Sequence, residues 1–107
     1  MARVKRSRQV IAPEAFPHVV AFLRGYLHED WALDHASAAE ARDAFLDECT
    51  PEERRAFRRE SARLARALSG VSLPESRRLI TEVLGSAWRP ATRLEVDDLF
   101  AAADDRP

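Results

Sequence analysis

A hydroxyl residue followed three positions later by glutamate recurs four times in this chain: Ser37 with Glu40, Thr50 with Glu53, Ser72 with Glu75, and Thr92 with Glu95. Each pair has the pattern of a helix start. The hydroxyl oxygen accepts from a backbone N–H that the first turn leaves free, and the glutamate reaches back to the N–H of the capping residue. Pro51 follows Thr50 at the first helical position, where a missing N–H costs nothing. Gly70 and Gly85 stand where a left-handed residue would end a helix. No Asn-Gly or Asp-Gly pair marks a hairpin, and no stretch alternates as a strand does.

Between these marks the apolar spacing predicts five helices. The first covers about 17–27, with an earlier start at Pro13 left open. It places Phe16, Val20, Leu23 and Leu27 on one face, with Val19, Phe22 and Tyr26 beside them. The second covers 38–48 and is anchored by Phe45 and Leu46. The third covers 51–69, with Phe57, Leu64 and Leu68 inward and Ser61 and Ala65 between them. The fourth covers 73–84, with Leu79, Ile80, Val83 and Leu84 inward. The fifth covers 93–103 and uses Val96, Leu99, Phe100 and Ala103. The expected fold class is all-α, a compact orthogonal bundle.

At 107 residues the chain has room for one domain. Folding to that size buries about 65% of the surface, enough for a core without disulfide or metal staples. Hydrophobic residues make up 46% and charged residues 33%, which excludes a disordered chain. No apolar run approaches a membrane span; the best is Val19 to Leu23. The basic start, Met1 to Arg8, leads into no signal-peptide stretch, so the expected compartment is the cytoplasm. The single cysteine, Cys49, allows no internal disulfide.

Charge is unevenly spread. Residues 1–9 hold Arg3, Lys5, Arg6 and Arg8 and no acid, leaving 13 basic and 18 acidic residues, a net of −5, in the rest. The domain reading follows: a basic flexible arm over 1–12, then one helical domain over 13–107, with 104–107 fraying. Sixteen of the 17 basic residues are arginine. That excess reads as GC-rich coding and not as chemistry.

Two segments read as non-helical: 28–36 around Trp31, and 86–91 with Trp88, Arg89 and Pro90. Both tryptophans of the chain lie there. Loops present functional groups, but a tryptophan also plugs the end of a small core, and that is the favoured reading for both. The first segment carries His28 and His35 with Glu29, Asp30 and Asp34. A metal is considered and set aside, because the spacing fits no strong ligand motif. No cofactor is expected either. With Gly25, Gly70 and Gly85 as its only glycines, the chain has no phosphate loop, and no serine sits in a nucleophile elbow. Asp47 and Glu48 precede Cys49 and disfavour its thiolate. No enzyme activity is expected. Gly25, in the first helix, marks either its termination or a close approach by another group such as Trp31.

The third helix carries Arg54, Arg55, Arg58, Arg59, Arg63 and Arg66 over half its circumference. One reading is a recognition helix, joined through Cys49-Thr50-Pro51 to the second helix, with the basic arm in a minor groove. The other is a solvated face with Glu–Arg pairs. The helix lacks the Asn and Gln that read adenine, which weighs against nucleic acid.

The run Phe22-Leu23-Arg24-Gly25-Tyr26-Leu27-His28-Glu29-Asp30-Trp31-Ala32-Leu33-Asp34 resembles the signature of the small α-helical immunity proteins of bacterial contact-dependent growth inhibition and related polymorphic toxin systems. Leu27 replaces the family's usual aromatic residue and Glu29 its usual Gln. Leu84-Gly85-Ser86-Ala87-Trp88 resembles the family's loop before the last helix. The resemblance spans about Phe16 to Ala103 and makes Gly25, Tyr26, His28, Asp30 and Trp31 motif positions that could mark the fold instead of an interface. It implies a cytoplasmic protein that occludes the C-terminal domain of a cognate toxin, often a nuclease with a basic cleft. The acidic domain suits such a partner. Candidate toxin contacts are Glu29, Asp30, Trp31, Asp34, Trp88, Asp97 and Asp98, with Asp104 and Asp105 behind them. The free chain is expected to be a monomer. The alternative is a small DNA-binding regulator using the third helix and the arm.

Overall fold

Each hydroxyl marked as a helix start caps one. In the computed structural model, which describes residues 11–101, Ser37, Thr50, Ser72 and Thr92 accept the backbone N–H three residues on at 3.1–3.3 Å. Only Thr50 and Glu53 close reciprocally, Glu53 accepting the Thr50 N–H at 2.9 Å. Glu40 and Glu95 reach one residue further back, to the N–H groups of Ala36 (2.7 Å) and Ala91 (2.8 Å). Glu75 turns forward to Arg78 at 2.7 Å, and this pairing lowers its pKa.

The helices are α1 (Pro17–Tyr26), α2 (Trp31–Asp34), α3 (Ala38–Asp47), α4 (Pro51–Leu68), α5 (Leu73–Arg78) and α6 (Arg93–Ala101). No strand occurs among the described residues, and the fold is all-α. Four readings need correction. Pro13–Ala15 form a separate 3-10 turn ahead of α1. The segment read as non-helical contains α2, a single turn closed by the His35 N–H on the Trp31 carbonyl at 3.0 Å. One turn is too short to show a period. The fourth helix widens after α5 into a π-helical segment, Leu79–Val83, in which the Leu84 N–H reaches Leu79. Gly70 does not take the left-handed conformation; among the described residues Gly85 alone has positive φ, at +89°.

Both α1 and α6 pack on α3 and on α4, so these four helices enclose the core. Phe16, Val19, Phe22, Leu23 and Leu27 are fully buried along α1. Val20, read as inward, is only partly buried, so α1 is turned toward Val19 and Phe22. Phe57, Leu64 and Leu68 line α4, and Val96, Leu99 and Phe100 line α6, as their spacing indicates. Phe22, Phe45 and Phe57 meet at centroid distances of 5.3–5.7 Å. Ala103 lies outside the described residues, as do the arm residues Arg3, Lys5, Arg6 and Arg8.

Two buried charges hold helix ends. Phe16 gives α1 no side-chain cap. Glu60 of α4, 6% exposed, supplies it: its carboxylate accepts the N–H groups of His18 (2.7 Å) and Val19 (2.9 Å) and the His18 Nδ1–H (2.7 Å). Arg42 of α3, also 6% exposed, donates to the carbonyls of Asp98 (2.9 Å) and Leu99 (3.1 Å) in the last turns of α6. Both placements also suit the helix dipole. Arg24, Arg54, Arg63, Arg77 and Arg93 likewise donate to backbone carbonyls. These arginines therefore do structural work whatever the origin of their excess: a planar group with five donors closes backbone carbonyls that a lysine would meet as a point charge.

Candidate functional site

The two segments that carry the sequence resemblance are far apart in the chain and joined in the fold. After α1, Leu27 is buried and its carbonyl accepts the Ala87 N–H at 2.8 Å. One turn earlier, Arg24 Nε donates to the Leu84 carbonyl at 3.3 Å and packs over Gly85. A side chain at Gly85 would meet Arg24 and would also strain at positive φ. Ser86, itself buried, accepts the Trp88 N–H at 2.9 Å and fixes the turn that carries the tryptophan inward.

Trp31 and Trp88 thereby line one groove of about 280 Å³, with Ser37, Glu95, Asp98 and Leu99. Its walls are α2, the start of α3, the 86–92 loop and α6. Trp88 is 7% exposed and belongs to the core; Trp31 is partly buried and packs against it. The core-plug reading thus fits Trp88 most fully, and each tryptophan also presents atoms to the groove. Asp98 is exposed, and no described residue pairs with its carboxylate. Glu95 uses one oxygen on Ala91.

The other candidate residues separate by position. Glu29, Asp30 and Asp34 are exposed around α2, next to the groove but not lining it. Asp97 is turned away and pairs with Arg93 at 3.6 Å. Asp104 and Asp105 lie outside the described residues. Nothing comes within 4 Å of a side chain built at Gly25, so the close approach read from the sequence is absent, and α1 ends one residue later. Tyr26 donates to Glu48 at 2.6 Å, stacks on His35 and meets Phe45 edge-on. The Glu48 carboxylate beside its hydroxyl pushes the Tyr26 pKa up to about 12. His28 accepts the Asp30 N–H on Nδ1 at 3.1 Å, which places its ring proton on Nε2. The motif side chains Tyr26 and His28 shape the turn that delivers Trp31.

A model of the CdiI immunity protein family matches residues 15–106. The chain belongs to that family. No curated protein and no solved structure gives a match. Membership in the CdiI immunity protein family carries toxin neutralisation as the chain's function. The matched span takes in α1 through α6 and so includes the whole groove.

Sequence reasoning missed Glu95, Ser37 and the exposed pair Leu33 and Leu94. Glu95 and Ser37 were read only as caps. Leu94 falls off the apolar stripe of its helix, which was the available signal; Leu33, in a segment read as non-helical, carried none. Elsewhere, burial first and Glu53 second push the Cys49 thiol pKa up. On α4, Arg54 and Arg63 are drawn into the fold, while Arg55, Arg59 and Arg66 are exposed. Among the described residues no group of three His, Cys, Asp or Glu could hold a metal ion, and no helix is long and apolar enough to cross a membrane.

Proposed function

We propose that this immunity protein acts by stoichiometric occlusion. It binds a cognate toxin domain one to one in the cytoplasm and covers the active site or the substrate surface, with no chemistry of its own. The family match over residues 15–106 carries the reading. Charge supports it: residues 10–107 hold 13 basic and 18 acidic side chains, and an acidic surface speeds association with the basic cleft of a nuclease. The free chain is a monomer whose apolar stripes are satisfied internally. Candidate contacts are Glu29, Asp30, Asp34 and Asp98 with Trp31 and the groove edge of Trp88; Asp97 contributes only if its pairing with Arg93 opens.

A titration against the C-terminal domain of the large secreted protein encoded beside this gene tests the proposal. The expected result is tight one-to-one binding that abolishes the domain's toxicity. Absence of binding to a folded, toxic domain, together with salt-sensitive DNA binding by the chain, would overturn it in favour of a regulator.

A further inference from the structure

The fold leaves two large apolar side chains exposed, Leu33 at 83% and Leu94 at 75%. They stand on α2 and α6, the helices that supply Trp31, Glu95 and Asp98 to the groove. Leu94 precedes Glu95 directly and lies one turn before Asp98. Two indole surfaces and acid thus line one groove, and the two leucines stand exposed on the helices that supply them. Among nearby cations, Arg42 pairs with Asp43 and Arg93 with Asp97, which leaves Arg89, exposed beside Trp88, as the cation on the groove's loop wall. At about 280 Å³ the groove has room for a single inserted side chain.

Resting on the immunity reading, we infer that this groove is the centre of the toxin interface and receives one basic side chain, an arginine or lysine, from the toxin. Trp31 and the edge of Trp88 flank its stem and cationic head, and Asp98 and the free oxygen of Glu95 face the charge. Aromatic faces attract a guanidinium, and desolvation strengthens both contacts. Leu33 and Leu94 pack against apolar toxin surface around it and exclude water, as the ring around an interface anchor does.

The two tryptophans are the only ones in the chain, so fluorine labelling of both reads the groove alone. The 5-fluorotryptophan-labelled chain, its two resonances assigned with Trp31→Phe, is titrated with the toxin C-terminal domain encoded beside the gene. Both resonances are expected to shift and to saturate at one equivalent. Asp98→Asn weakens binding about 10-fold and lowers its salt dependence. The double variant Leu33→Ser/Leu94→Ser, at two exposed positions, weakens it about 30-fold. At about 0.15 M salt, where exposed charges are screened, Glu52→Gln on α4 leaves affinity unchanged. Binding and loss of toxicity with unmoved resonances and wild-type affinity in the groove variants overturn the inference and leave immunity standing. No binding by the folded, toxic domain overturns the immunity reading for that pair, and the inference with it. Resonances that shift with the chain's own concentration show a second copy in the groove and also overturn it.

Discussion

Tyr26 illustrates how much a single contact sets. Its hydroxyl donates to the Glu48 carboxylate at 2.6 Å, so removing the phenolic proton would place two negative charges side by side. The folded chain therefore holds that proton up to a pKa of about 12, against an ordinary value of 10.0. Because the pKa is raised on folding, the stabilisation is complete below pH 10 and is lost as pH rises toward 12. Tyr26 is the chain's only tyrosine, and tryptophan does not titrate there. Absorbance at the phenolate band, followed with circular dichroism to verify folding, should show one transition near 12. Glu48→Gln should bring it down toward the ordinary value. A wild-type transition already at the ordinary value would show that the hydrogen bond is not formed.

Helix ends explain what was legible in the sequence and what was not. The starts of α3, α4, α5 and α6 could be read because the capping hydroxyl lies within the same few residues as the helix it opens. The start of α1 at Pro17 was read as well, but its cap could not be, because Phe16 offers no acceptor and the cap arrives from Glu60, far along the chain. One signal was present: Glu60 follows Phe57 by three positions and precedes Leu64 by four, which sets it on the inward stripe of α4. Trp31 and Trp88 were separately legible as notable loop residues. Their convergence was not, because it depends on the Leu27–Ala87 hydrogen bond between distant segments. Glu60→Ala removes the cap and leaves the buried Val19 N–H and the half-buried His18 N–H without their acceptor, at a cost of about 2–3 kcal/mol in urea unfolding. Glu60→Gln, which keeps one acceptor, should cost roughly half as much, about 1 kcal/mol. Glu52→Ala, at an exposed site on the same helix, should stay within about 0.5 kcal/mol of wild type. Equal midpoints for Glu60→Ala and Glu52→Ala would contradict the capping role.

At the scale of the whole molecule, the described acids Glu29, Asp30, Asp34, Glu95 and Asp98 surround the groove against Arg89 on its loop wall, while the exposed arginines Arg55, Arg59 and Arg66 belong to α4, which supplies no groove wall. Replacing those three by Gln makes the net charge more negative by three without touching a buried group. If the acidic face meets a basic toxin, the variant should associate a few-fold faster at low salt, because long-range attraction acts before contact. The gain should fade once the screening length shrinks to about 10 Å near 0.1 M salt. Dissociation should be unchanged, since α4 then makes no toxin contact. Stopped-flow association and surface-resonance dissociation rates separate the two effects. A roughly 10-fold faster dissociation would place the α4 arginines inside the interface, because that rate reports contacts that must break and is insensitive to steering.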